Sequence, residues 1–239
     1  MSRLVDIIRD ATKTKDKDSS SFKLHPPLNK AEIREFEATL SCSLPEEIRE
    51  LLQYCQGFSG DELISVDFTG RDCNFSFTEA FPYGLPIAGD GLGNFWVLDL
   101  LPTTTAWGPI YFASHDPAVI LYQSPTLTEF LVELFKQSKP PYESLIDAVR
   151  NDQLYNIWRT NPGVLSYEDC IAMSDNKLQS FAFSLGSTFQ FIDLRNAAIG
   201  YGFSWGRYGA NTVIKRHGEL PIFAYQKKQG LFAKLFGRS

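Results

Sequence analysis

The 239-residue chain has only three histidines and four cysteines, and neither kind clusters. Cys42, Cys55, Cys73 and Cys170 form no C-x-x-C pair and have no histidine at zinc-ligand spacing, so no zinc site or disulfide framework is indicated. They read as free, buried thiols of a reducing compartment. Basic charge is not in excess either. The formal net charge of −5 offers no field to recruit nucleic acid, but favours encounter with a basic protein. The chain also lacks a run of about 20 apolar residues, which a transmembrane helix needs. Its opening M-S-R-L-V-D-I-I-R-D has no signal-peptide core, so a cytoplasmic location is expected.

Catalytic signatures are missing as well. There is no G-x-S-x-G, no H-E-x-x-H and no Walker lysine. His115-Asp116 is the only adjacent His–acid pair, and it reads as a turn before Pro117. No enzyme activity, cofactor or metal is expected. What is plentiful is apolar surface: hydrophobic residues make up 44% and aromatics 14%, ample for a packed core.

The centre of the chain is Leu85 to Leu100, L-P-I-A-G-D-G-L-G-N-F-W-V-L-D-L, two apolar runs around a Gly-rich loop. Glycines allow the sharp reversal, and Phe95–Leu100 suits a strand buried on both faces. The Gly89, Gly91, Gly93 spacing is no dinucleotide fingerprint, because a strand and not a helix follows it. Asp90 and Asn94 either satisfy their own turn or touch a partner. The dispersed acids Asp61, Glu62, Asp67, Asp72 and Glu79 form an anionic patch only if the fold gathers them on one rim. Together Asp61, Glu62, Asp67, Asp72, Asp90, Asn94 and Trp96 are the candidate partner-binding residues.

Around this centre the pattern alternates between helix and strand. Leu4, Ile7 and Ile8 mark a short helix before the polar T-K-T-K-D-K-D-S-S-S. Asn29 with Glu32 has capping-box spacing ahead of Ile33, Phe36 and Leu40. Ser43 with Glu46 repeats it ahead of Ile48, Leu51, Leu52 and Cys55, and Gly57 suits a C-cap. From Glu62 the period shortens: Leu63–Phe68, Asn74–Phe77, Leu85–Ala88, Phe95–Leu100, Pro109–Ala113 and Val119–Gln123 read as strands of a largely antiparallel sheet. Leu127, Phe130, Leu131 and Leu134 form a further helix.

The ordered set L-P-E-E-I-R-E-L-L-Q-Y-C-Q-G (Leu44–Gly57), P-I-A-G-D-G-L-G-N-F-W-V-L-D (Pro86–Asp99), P-I-Y-F-A-S-H-D-P (Pro109–Pro117) and T-L-T-E-F-L-V-E-L-F (Thr126–Phe135) resembles the SUKH superfamily. That superfamily includes the fungal cell-wall glucan synthesis regulators and many bacterial immunity proteins. The likeness covers about residues 25–137. It implies an α+β fold of helices on a mostly antiparallel sheet, and a binding protein that neutralises a cognate toxin domain, often a nuclease. It brings no catalytic residues. A regulatory scaffold with several partners is the alternative, and an enzyme site in the C-terminal half is a third.

Residues 1–138 are therefore expected to be a SUKH-like domain, and 139–239 a β-rich extension or small second domain. In that extension Leu145, Ile146, Val149, Leu154 and Ile157 suggest helical turns, and Tyr167–Met173 another helix. Phe181, Phe183 and Leu185 alternate as a strand would, with Gly186–Ser187 as the turn to Phe189 and Phe191. Ile199 to Gly206 alternates aromatic or aliphatic residues with glycine or serine, the pattern of a strand with one bare face that lets another backbone approach. Leu231, Phe232, Leu235 and Phe236, with Lys234 and Arg238, give the C-terminus an amphipathic character suited to a docked helix or weak membrane contact.

Overall fold

The computed structural model describes residues 2–15, 22–61, 63–71, 75–104, 106–137, 140–208 and 212–227. Glu62, Asp72, Cys73 and the amphipathic C-terminal tail lie outside them. Helix α1 (Arg3–Lys15) buries Leu4 and Ile8, as its periodicity requires, and the short β1 (Lys23–Leu24) follows. The Asn29 side chain then accepts from the amides of Ala31 and Glu32 while Glu32 bonds back, which starts α2 (Lys30–Thr39). For α3 (Glu46–Tyr54) the expected Ser43 cap does not form: Pro45 stands at the N-cap without a side-chain bond. Glu37 of α2 instead accepts from the Leu44 amide at 2.9 Å and pairs with Arg49, so tertiary contact replaces the local cap. Gly57 is not the C-cap either. It opens β2 (Gly57–Gly60), where a Cβ would lie 2.1 Å from the Val66 carbonyl oxygen.

An antiparallel run follows: β3 (Leu63–Asp67), β4 (Gly84–Gly89), β5 (Phe95–Leu101), β6 (Ala106–His115) and β7 (Ala118–Ser124). The Asn74–Phe77 stretch is not a strand where it is described. Phe75 and Phe77 serve instead as packing groups against Phe95. Thr126 caps α4 (Leu127–Lys136) by accepting from the Glu129 amide. Then come α5 (Leu145–Ala148), a π-helical turn (Val149–Gln153), α6 (Leu154–Thr160), α7 (Tyr167–Ala172) and α8 (Asn176–Leu185).

Helix α8 overturns the strand expected at Phe181–Leu185. Asp175 caps it through the Lys177 and Leu178 amides, and Leu178, Phe181 and Ala182 form its buried stripe. Phe183, the residue that suggested alternation, is 64% exposed. Gly186 ends the helix at φ +79° and is not a hairpin turn. Strands β8 (Phe189–Asp193), β9 (Gly202–Ser204), β10 (Ile214–Arg216) and β11 (Ile222–Gln226) complete the chain, with a 3₁₀ turn (Gly206–Tyr208) after β9. Of the expected Ile199–Gly206 strand only β9 forms.

The fold is α+β. Among the described residues, eight strands in the order β1-β2-β3-β4-β5-β6-β7-β9 make the large sheet, and β10-β11-β8 make a smaller one. Trp96, Leu98, Ile110, Phe112, Val119 and Leu121 point from the large sheet to a layer containing α1 to α6. Val97, Tyr111, Ala113 and Ile120 point the other way, onto Ile192, Ile214, Phe223 and Tyr225 of the smaller sheet. The far side of the smaller sheet packs on α7 and α8. Both faces of the central strands are thus buried, as the apolar Phe95–Leu100 run required. Gly202 meets the bare-face expectation, since a Cβ there would lie 1.9 Å from the Ile120 carbonyl oxygen.

Candidate partner-binding rim

Antiparallel order places every second turn at the same end of a sheet. The Val66↔Ala88 register puts the β2–β3 turn at the same end as the β4–β5 turn, and the β5–β6 and β6–β7 pairings add the Asp116-Pro117 turn beside them. Asp61, Asp90 and Asp116 therefore share one rim. Asp61 and Asp116 are exposed and Asp90 is half-buried.

The Asp90–Asn94 turn is built from its own side chains. Asp90 Oδ1 accepts from the Leu92 and Asn94 amides at 2.8 and 3.2 Å, and Oδ2 from Asn94 Nδ2 at 2.6 Å. Asn94 is only 7% exposed, and its Oδ1 accepts from the His115 amide at 2.8 Å, tying this turn to the next. Gly91 and Gly93 hold φ of +78° and +88°, the left-handed region glycine tolerates. This scaffold raises Leu92 at the tip, 82% exposed. A large apolar side chain held out on a braced turn is suited to docking on another surface.

Asp67 and Trp96 do not join this rim. Asp67 is at the opposite end of β3 and 7% exposed, where its Oδ1 accepts from the Thr69 amide and hydroxyl at 2.7 and 2.6 Å. Trp96 is fully buried against Phe112, with Nε1 donating to Gln123 Oε1 at 3.1 Å, so it offers a partner nothing. Glu62 follows Asp61 in the chain, but like Asp72 it is outside the described residues. Glu79 is near the rim, in a cavity wall shared with His115. Sequence reasoning missed Leu92, although a lone leucine between two turn glycines was the available signal. It read His115-Asp116 as a turn, and that turn proves to be part of the rim.

Cys42, Cys55 and Cys170 are free; burial pushes the thiols of Cys55 and Cys170 up to about 12 and about 11. Among the described residues no three His, Cys, Asp or Glu side chains gather to hold a metal ion. Among the same residues no helix is long and apolar enough to cross a membrane. A strand, β5, and not a helix follows the Gly-rich turn, unlike a dinucleotide-binding loop.

Residues 27–133 match the model of the SMI1 / KNR4 family (SUKH-1), in agreement with the resemblance read from the motifs. No curated protein and no solved structure matches the chain.

Proposed function

We propose that this chain, whose residues 27–133 match the model of the SMI1 / KNR4 family (SUKH-1), is a cytoplasmic immunity protein that binds one cognate toxin domain and blocks it stoichiometrically. That match supports an immunity or regulatory protein with a protein partner. The observation that carries the finer reading is the braced rim, where Leu92 stands out between the carboxylates of Asp61, Asp90 and Asp116. A toxin that cleaves nucleic acid needs a basic surface to hold phosphates. An acidic rim on a chain of net charge −5 complements such a surface and speeds encounter. Occlusion of this kind needs no cofactor and no catalytic group. In this reading residues 1–138 carry the binding module and 139–239 brace it, because β9 supplies the last strand of the large sheet.

The experiment is a pull-down with genome-neighbour proteins co-expressed, at low and high salt. One dominant, salt-sensitive partner with a toxin domain is expected, and the double variant D61K/D116K should bind it about a hundredfold more weakly at low salt. Unchanged affinity in that variant removes the rim from the interface. Several weak partners in place of one favour the regulatory scaffold.

A further inference from the structure

The described residues end at Lys227, whose amide donates to the Thr188 carbonyl at 2.8 Å just past β11. Thr188 lies between the end of α8 at Leu185 and the start of β8 at Phe189, which pairs with Gln226. The Leu165–Phe191 bridge sets the first turn of α7 against the other edge of β8. The chain therefore leaves the smaller sheet at the end where α7 begins and α8 stops.

That end of the helical layer is incompletely covered. Phe183 is 64% exposed and meets the half-buried Tyr167 edge to face, with ring centres 6.3 Å apart. Leu185 and Phe189 also stay half-buried, although both pack on the core beneath α8. One exposed phenylalanine needs no explanation, whereas four such side chains from three elements beside one chain exit do.

The next twelve residues, K-Q-G-L-F-A-K-L-F-G-R-S, carry Lys228, Lys234 and Arg238 and no acid. At helical spacing Leu231, Phe232, Leu235 and Phe236 share one stripe, with Lys234 and Arg238 along its border. Leu231 is four residues beyond Lys227, about 13 Å of extended chain, and Phe183 is about one helical turn from Gly186. The stripe is thus within reach of Phe183. Glu168 and Asp169, exposed on the first turn of α7, set negative charge beside Tyr167 to meet the basic border. A tether this short holds the stripe at an effective concentration on the order of millimolar, which a free partner does not match.

We propose that residues 231–236 dock on the α7–α8 opening of their own chain, with the apolar stripe over Phe183 and Tyr167 and the basic border toward Glu168. The contact lies within one molecule and does not depend on the partner-binding reading.

The test is NMR on the full chain with labelled leucine methyls. NOEs from Leu231 and Leu235 to the Phe183 and Tyr167 rings are expected. Trypsin should cut after Lys234 about tenfold faster in F183S than in the wild type. Phe183 is outside the buried stripe of α8, so F183S should keep the wild-type melting temperature. L231S, which leaves α7 and α8 unaltered, should speed the cut as well. Absence of the NOEs, or wild-type cutting rates in both variants, overturns the proposal. NOEs that arise only between a labelled and an unlabelled copy assign the stripe to a second molecule and overturn it. A segment without these NOEs that carries the chain onto phosphatidylserine vesicles assigns the stripe to a membrane and overturns it too.

Discussion

Arg216 and Asp99, 117 residues apart in sequence, form a buried two-pronged ion pair, with side chains 2% and 1% exposed and contacts of 2.8 and 2.5 Å. Arg216 also donates to the carbonyls of Leu220 and Glu219, and the Glu219 carboxylate accepts from Thr103 at the β5–β6 turn. These polar contacts add to the apolar packing of Ile214, Phe223 and Tyr225 that holds the β10–β11 hairpin on the large sheet.

Burial pushes the Asp99 carboxyl above its ordinary value, and the Arg216 hydrogen bonds oppose that push. Arg216→Met removes the opposition and strands a buried acid, so it should cost about 3–5 kcal/mol in urea unfolding at pH 7. The loss should shrink toward pH 5, since a stranded Asp99 takes up a proton more readily than the unfolded chain does. The double variant D99L/R216M should recover most of the stability; a double variant as unstable as R216M would refute this account.

Asn161 closes the outer edge of the large sheet. Its Oδ1 accepts from the Ser204 amide at 2.7 Å, and its Nδ2 donates to the Tyr225 hydroxyl at 2.9 Å and faces the Ser204 carbonyl at 3.4 Å. Asn161 can do this because it ends α6 in the left-handed region, at φ +46°. Asn161→Ala should destabilise by about 1–3 kcal/mol, the cost of an unpaired buried amide. Asn161→Gly relieves the backbone but not the lost bonds, so it too should unfold earlier on heating. Wild-type stability in the alanine variant, which keeps the backbone cost, would show that the side-chain bonds contribute nothing.

His217 stacks on Phe181 at 4.9 Å, and burial, with Lys177 and Arg195 nearby, holds its pKa below the usual histidine range. The unfolded chain then binds the proton first as pH falls, so the stability linked to His217 is full above about pH 7 and declines through the unfolded value of about 6.5. Unfolding by urea between pH 7.5 and 5 should trace that decline. In H217Q the slope over this window should flatten, and an unaltered slope would assign the effect elsewhere.

Gly91 tests whether the rim is preformed. No atom lies within 4 Å of a Cβ built there, yet its φ of +78° disfavours any L side chain. Gly91→Ala should cost about 1–2 kcal/mol and weaken the partner, whereas Leu92→Ala should leave the melting temperature unchanged and lower partner affinity about tenfold. An L92A chain with full affinity would remove the tip from the interface.

The sequence by itself determined what depends on neighbours within a turn or a hairpin. The Asn29–Glu32 capping box, the α1 and α4 stripes, and the Gly-rich reversal between β4 and β5 form as their spacing requires. So does the buried character of Phe95–Leu100, while the α+β class was what the family resemblance implied. Where pattern allowed two periods it misled: Phe181, Phe183 and Leu185 fit a strand, but Asp175 and the packing of Leu178 and Phe181 on β8 and β11 make a helix. Only the tertiary structure decided which acids share a surface. Antiparallel pairing sends Asp61, Asp90 and Asp116 to one end of the sheet and Asp67 to the other, and burial on both faces takes Trp96 out of reach. The Asp99–Arg216 pair was illegible for the same reason. Spacing along a chain fixes local hydrogen bonds and periodic faces, while a contact across 117 residues exists only once the sheets have packed and water has left the space between them.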